Sequence, residues 1–418
     1  MKLFNQHLAC EREGIADMNK WITNEILTSH PKPSRQEIEA AMACCIDKTL
    51  LMLRDFGDAF PGPASSHGFY IPGSNRSWTS GFWTGEVWLA YENEKNEARK
   101  EELKAGGLRH VASFMERIRT RDDVDHHDMG FLYTPSCVAA FKLTGSAQGR
   151  EAALMAADQL LTRFQEVGGF LQAWGEMGAP DNYRFIIDCL LNLPLLYWAF
   201  EETRQTRYKE IADRHLHTAM TWGIREDNST WHTVFMNPVT GDFDHGATCQ
   251  GYRDGSAWAR GQAWGVYGTA MAYRYTHREE YREAFTRVTS YFLEHLPADL
   301  CPYWDLTFSD ADGADEPRDS SSAAIAACGM LEMSRHLEGA QAEFYADTAQ
   351  RLVKALIDGY QSRSAQESNG QLLHGTYSKK SPYNTCTQEG VDECVIWGDY
   401  FFMEALNRLL KPDWEIYW

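Results

Sequence analysis

Two kinds of apolar pattern alternate along this chain. The first is amphipathic. Residues 98–118 place Val111, Phe114, Met115 and Ile118 at helical spacing, and residues 341–360 do the same with Tyr345, Ala349, Leu352, Val353 and Leu356. Segments near 36–55, 149–166, 206–222 and 279–296 share this pattern. The second kind is apolar on nearly every face and rich in small or aromatic residues. It covers 81–92 (GFWTGEVWLAYE), 184–201, 256–275 and 320–336, with weaker forms at 129–143 and 393–409. A helix apolar all round is buried, whereas one with a single apolar stripe covers a core. The two kinds follow one another as six outer–inner pairs. Six such hairpins closed in a ring make an all-α (α/α)6 barrel. A two-layer helical solenoid gives the same alternation, so the pattern by itself does not fix closure.

The flanks are simpler. Residues 1–35 read as an N-terminal helical extension ending at Pro31-Lys32-Pro33, and residues 36–418 as one barrel domain. The polar stretch 361–392 reads as a long loop before the last helix. Loops longer than about 15 residues in a compact domain are usually functional or disordered. Strand content is expected to be minor.

Composition narrows the partners. Of 418 residues, 44% are hydrophobic and 24% charged, as in an ordinary globular protein with a large core. Fourteen Trp suggest pocket walls as well as core, because each buried indole N–H needs a partner. The net charge of −19 argues against nucleic acid or an anionic membrane as a broad-surface partner, but leaves a small-molecule substrate open. Ten Cys without a CxxC pair read as a reduced, cytoplasmic chain. The segment Met1–Cys10 lacks the basic-then-apolar order of a secretion signal. No run approaches the roughly 20 apolar residues of a membrane span.

Two aspartates carry the candidate chemistry. Asp188 stands alone in the apolar run Arg184–Pro194, where a carboxylate loses hydration and its proton is held more tightly. That is the setting of a general acid. The structural alternative is an ion pair with Arg184, one helical turn back. Asp128 closes the cluster Asp125-His126-His127-Asp128. Consecutive side chains diverge, and helical metal sites favour i, i+3 or i, i+4 spacing, so this cluster reads as a polar helix start lining a pocket, with no metal.

The other polar residues set in apolar inner segments are Arg260 and Gln262, with Gln172 and Gln250 in preceding loops. Trp78, Trp83, Trp174, Trp258 and Trp264 lie beside them. His215 and His217, on a charged outer segment, read as solvated, and His232 as either a pocket or a core histidine. The chain has no phosphate cradle, dinucleotide fingerprint or G-x-S-x-G elbow. A carboxylate pair, a few amides and guanidinium groups and a wall of Trp describe a carbohydrate pocket, with Arg260 available for an acidic group on the sugar.

The segments WTSGFWTGEVWLAYE (78–92), DHHDMGFLY (125–133), IIDCLLNLP (186–194), DGSAWARGQAWGVYG (254–268), RDSSSAAIAACGMLE (318–332) and IWGDYFFMEAL (396–406) resemble those of the unsaturated glucuronyl hydrolases, glycoside hydrolase family 88. The resemblance runs from about residue 40 to about residue 410, in family order. It implies an (α/α)6 barrel, no cofactor, and a substrate whose non-reducing sugar is a 4,5-unsaturated uronic acid, with glycosaminoglycan disaccharides favoured. It implies Asp128 and Asp188 as the essential carboxylates. It implies Trp78, His127, Gln172, His232, Gln250, Arg260 and Trp264 around the sugar, with Trp174 and Trp258 beside them. Asp188 would protonate C4 of the vinyl ether, and water would add at C5.

Two positions depart from the family pattern. Cys249 stands where a family member carries His before the matching Gln. Members acting on sulfated disaccharides carry Ser-x-x-Ser-x-Lys in the late loop; here the string is Ser378-Lys379-Lys380-Ser381-Pro382-Tyr383, with Tyr383 in place of Lys. Ser378 and Lys379 (or Lys380) are therefore expected as substrate contacts. The rival readings are an unsaturated rhamnogalacturonyl hydrolase with the same chemistry, a sugar epimerase on the same barrel, and a non-catalytic sugar-binding protein.

Overall fold

The computed structural model describes residues 25–312 and 315–418. Most of the expected N-terminal extension, residues 1–24, lies outside the described residues. Its end, helix α1 (Glu25–Ser29), lies against an outer helix, where Lys32 pairs with Asp347 at 2.9 Å.

Helices then alternate as the apolar patterns predict. The first outer helix, α2 (Arg35–Phe56), begins where the Pro31-Lys32-Pro33 stretch ends. Ser34 caps it by accepting from the Glu37 amide, while the Glu37 carboxylate accepts from the Ser34 amide at 2.7 Å. The first inner helix is α3 (Ser80–Asn93), followed by outer α4 (Glu97–Thr120). The second inner helix is α5 (Met129–Tyr133), which runs through a π turn at Thr134–Val138 into α6 (Ala139–Thr144). Outer α7 (Ala147–Leu161) precedes inner α8 (Pro194–Thr203), and outer α9 (Thr206–Trp222) precedes inner α10 (Ala259–Thr276). Outer α11 (Glu279–Glu294) and inner α12 (Ser320–Ser334) follow, then outer α13 (Gly339–Gly359) and inner α14 (Ile396–Leu410).

The ring closes. Inner α14 packs on both α12 and the first inner helix α3, so the alternation is a barrel and not an open solenoid. Closure demands close helix approach, and glycine permits it. A Cβ on Gly130 would lie 2.3 Å from Cα of Asn192, so this glycine lets α5 press against the segment that carries Asp188. The far end of the barrel is filled by a buried network. Arg408 pairs with Glu332 at 2.8 Å and Glu404 at 3.0 Å, and the Trp418 indole donates to Glu404 at 2.7 Å.

Short strands rim the other end. Three antiparallel strands, β5 (Arg184–Ile186), β6 (Thr233–Met236) and β7 (Phe243–Ala247), form one small sheet. Two-residue hairpins, β1 (Phe60–Pro61) with β2 (Pro72–Gly73) and β3 (Phe164–Gln165) with β4 (Phe170–Leu171), add little. The late stretch 361–392 is no plain loop: it carries the hairpin β8 (Gly375–Ser378) and β9 (Glu389–Glu393).

One inner segment departs from expectation. Residues 184–201 are not a continuous helix. Arg184–Ile186 pairs with β6, Ile187–Leu191 is a 3-10 turn, and the α-helix begins only at Pro194. Pro194 lacks an amide hydrogen and fits a first helical turn. Arg184 is therefore not one helical turn from Asp188, and the ion pair of the structural alternative does not form.

Candidate active site

The inner helices start at the rim. Trp78 precedes α3, Asp128 immediately precedes α5, Asp188 lies in the turn before α8, Arg260 is in the first turn of α10, and Trp397 opens α14. Their N-terminal ends converge on a cavity of about 430 Å³, within the usual range for a small-molecule site. Asp128, Asp188, Trp78, Trp174, His232 and Gln250 line it, so the structure brings these expected residues together. Ser378 lines it too, with its hydroxyl donating to the Thr387 carbonyl at 2.9 Å.

The two carboxyl groups have opposite electrostatics. Asp188 is 5% exposed, and its Oδ1 has no hydrogen-bond partner. Burial pushes its pKa up to about 7; Arg260 pulls against that, and the Asp128 charge adds to it. Burial also raises Asp128, but His127 and His126 outweigh it and leave the carboxyl below its usual value. His127 Nε2 lies 3.3 Å from Asp128 Oδ1, and His126 Nδ1 lies 3.1 Å from Oδ2. Near neutral pH the pair therefore holds one proton-bearing and one ionised carboxyl group, the split that acid catalysis beside a developing cation requires.

The same geometry disperses the DHHD cluster. Asp125 pairs with Arg163 at 2.9 Å, His126 Nε2 meets the Asp123 carbonyl, and only His127 and His126 turn to Asp128. Among the described residues, no group of three or more His, Cys, Asp or Glu is arranged to hold a metal ion.

His232 is fixed as a neutral ring. Its Nδ1 takes the Cys249 amide at 3.3 Å and meets the Thr233 hydroxyl at 2.6 Å, while Nε2 faces the Gln250 carbonyl oxygen at 3.3 Å. Those contacts put the proton on Nε2, and burial lowers the pKa to about 4. Gln250 in turn donates to the Tyr377 carbonyl at 3.2 Å.

Several expected contacts stand behind the cavity wall. Gln172 is fully buried and donates to the carbonyls of Trp174 at 3.2 Å and Glu176 at 2.9 Å, so it shapes the loop that carries Trp174. Arg260 lies between Trp258, 4.4 Å from the guanidinium, and Trp397 at 4.5 Å. Its two terminal nitrogens donate to the carbonyls of Thr376 at 2.7 Å and Tyr377 at 2.9 Å. The fork expected to hold an acidic group is thus closed on the β8 backbone. Trp258 packs edge-on to His232, and Trp264 is buried against Phe131.

Two readings are corrected. Lys379 does not face the cavity: it lies just past the end of β8, pairs with Glu316 at 2.5 Å and lies over Trp304. His215 is not solvated; it is fully buried, and its Nδ1 accepts from the Leu171 amide at 3.0 Å. His217 is exposed as expected.

Tyr377, Glu389 and Thr385 line the cavity and were not singled out by the sequence. The Tyr377 hydroxyl accepts from the Trp78 indole at 3.2 Å. Their one sequence mark was membership of an over-long polar loop.

A profile of Glycosyl Hydrolase Family 88 matches residues 63–408. The chain belongs to glycoside hydrolase family 88. An unsaturated chondroitin disaccharide hydrolase of Streptococcus pneumoniae is 45% identical over 390 residues, covering 93% of this chain and 95% of the relative. An unsaturated glucuronyl hydrolase of Bacillus sp. strain GL1 is 40% identical, covering 89% and 96%. The crystal structure of unsaturated glucuronyl hydrolase from Streptococcus agalactiae superposes with a TM-score of 0.88 at 42% identity, covering 94% of this chain and 96% of that one. An Asp-to-Asn variant of that enzyme has been crystallised complexed with dGlcA-GalNAc6S. This family 88 chain is thus a hydrolase on a helical barrel. Among its described residues, no helix is long and apolar enough to cross a membrane.

Proposed function

We propose that this chain hydrolyses short, lyase-generated oligosaccharides that end in a 4,5-unsaturated uronic acid, with glycosaminoglycan disaccharides as substrates. One observation carries the reading. Asp188 is a buried carboxyl group, held up to about 7, that lines the cavity beside Asp128. The names of the relatives and the sulfated disaccharide bound to one of them support the substrate class.

The chemistry follows from the substrate. An unsaturated uronic acid is a vinyl ether, nucleophilic at C4. Asp188 gives its proton to C4, and the positive charge at C5 is shared with the ring oxygen. Protonating carbon is slow, so a positioned acid with a raised pKa matters. Ionised Asp128 and the neutral His232 ring line the same cavity as Asp188, and the carboxylate would stabilise that charge. Water adds at C5 and returns a proton to Asp188. The hemiketal opens and releases the partner sugar. Converging helix N-termini favour the anionic uronate despite the chain's net charge of −19. Trp78 and Trp174 offer flat apolar faces to the sugars.

The single barrel over residues 36–418 and a cytoplasmic setting belong to the same reading, the latter supported by nine unpaired cysteines among the described residues. The test is the ultraviolet band of the ene-carboxylate, followed on disaccharides from chondroitin, hyaluronan, heparin and pectin. The band disappears as the partner sugar is released, fastest with a glycosaminoglycan substrate. A flat trace across the panel would remove the activity from this chain.

A further inference from the structure

The buried Arg260 guanidinium interacts with two carboxyl groups, and the chemistry above uses only one of them. Asp188, on the cavity wall, feels its charge. The other is Asp319, which immediately precedes α12 and is fully buried outside the cavity lining. Its Oδ2 lies 3.7 Å from a terminal nitrogen of Arg260 and has no hydrogen-bond partner. Its Oδ1 accepts from the Ser321 hydroxyl at 2.6 Å and from the Thr376 amide at 3.3 Å. The Ser321 hydroxyl accepts in turn from the indole of Trp397 at 3.0 Å, the ring that lies against the guanidinium. Asp319 is thus tied to the same two elements, β8 and α14, that enclose Arg260.

A buried ion pair repays its desolvation poorly, so this one calls for a reason beyond stability. Two charges act on Asp188 among the described residues: Arg260 draws its proton away, and Asp128 holds it on. The other titratable groups around that turn are uncharged near neutral pH. Burial lowers the pKa of His127, His215 and His232, keeping them neutral, and raises those of the Cys189 thiol and the Tyr377 hydroxyl. An uncompensated guanidinium beside Asp188 would favour its ionised form, and a carboxylate without its proton cannot protonate carbon. Burial also lowers the Arg260 pKa, and Asp319 opposes that more than Asp188 does. The stronger partner of the guanidinium is therefore the carboxylate outside the cavity. Burial raises Asp319 in turn, while Arg260, Ser321 and the Thr376 amide pull it back toward its ordinary, ionised range.

We propose that Asp319 is a positioning residue for the reaction: its charge offsets that of Arg260 and so lets Asp188 keep the proton it delivers. Arg260 can then hold the β8 backbone at the cavity without disarming the acid beside it. The inference rests on Asp188 as the acid, given under Proposed function. It adds a residue that touches neither the cavity nor Asp188 and acts through the guanidinium between them.

The test is Asp319→Asn in the full chain, which keeps an acceptor for Ser321 and the Thr376 amide and removes the charge. Two readouts are compared with wild type. One is the pH–rate profile on an unsaturated chondroitin disaccharide. The other needs no substrate: the titration, by NMR of side-chain-labelled aspartate, of the carboxyl signal that Asp188→Asn deletes. Asp319→Asn moves the alkaline limb and that titration together to lower pH, by about one pH unit. Asp319→Glu, which keeps the charge, returns both toward wild type. A purely structural role lowers the rate at every pH and leaves both midpoints in place, and that result, or a move to higher pH, overturns the proposal. Should Asp319→Asn not fold, Asp319→Ser is the second neutral variant, read in the same way. If the wild-type chain turns over no unsaturated disaccharide, the activity reading fails by itself. The carboxyl titration then decides alone: a lower midpoint in the neutral variant supports the role of Asp319, and an unchanged one overturns it.

Discussion

The Phe131 amide donates to Oδ1 of Asn192 at 2.8 Å, and this bond ties the helix that follows Asp128 to the turn that holds Asp188. The Asn192 side-chain nitrogen reaches back to the Asp188 carbonyl at 3.3 Å. With Gly130 pressed on Asn192, the two carboxyl groups are set by one buried junction. Asn192→Ala strands a buried amide and is expected to lower unfolding free energy by about 1–3 kcal/mol, measured by urea titration, and to reduce kcat at temperatures where the variant remains folded. Full kcat in a folded Asn192→Ala would show that the junction supports the fold alone.

Asp188→Asn is expected to lower kcat by about 10²–10⁴-fold while substrate still binds. The same change should stabilise the protein at neutral pH. Asp188 has a folded pKa of about 7 against an ordinary value of 3.8, so the folded state holds the extra proton between these values. Stability contributed by that proton is complete below about 4 and lost as pH rises to about 7. The advantage of Asp188→Asn should therefore grow across this window and level off above it, which thermal melts from pH 4 to pH 8 would show. Equal melting at every pH would mean that Asp188 is not a buried, proton-holding group.

The alkaline limb of the pH–rate profile should fall with an apparent pKa near 7, as Asp188 loses its proton. Asp128 raises that value by its charge, so Asp128→Asn should move whatever limb remains to lower pH. A limb that moves upward would contradict the assigned interaction.

Chelators should leave activity intact. Asp125, His126 and His127 are committed to Arg163, the Asp123 carbonyl and Asp128, which leaves no shared centre for an ion. Loss of activity in chelator, restored by a divalent cation, would return the cluster to the metal reading.

The barrel was legible because burial on all faces and burial on one face leave different sequence patterns, and hairpin order follows from their alternation. Closure was not, because the α14–α3 contact joins segments far apart in the chain. Asp188 announced itself as a lone charge in an apolar run. The turn around it was misread as helix because Ile186, Ile187, Leu190 and Leu191 are apolar in either conformation, and only Pro194 marks the true start. His215 shows the complementary error: a polar residue on a charged helix was buried because its ring accepts a backbone amide from β4. Tyr377 and Glu389 reached the cavity through the β8–β9 hairpin, whose short polar strands carry no clear alternation.

The central claim, protonation at C4 by Asp188, is tested most directly by running the reaction in D₂O and reading the released uronic acid by NMR during the first turnovers. The account predicts one deuterium on one face of C4, loss of the double bond, and no such product from Asp188→Asn. A released sugar that keeps its 4,5 double bond, with no deuterium on carbon, would contradict it.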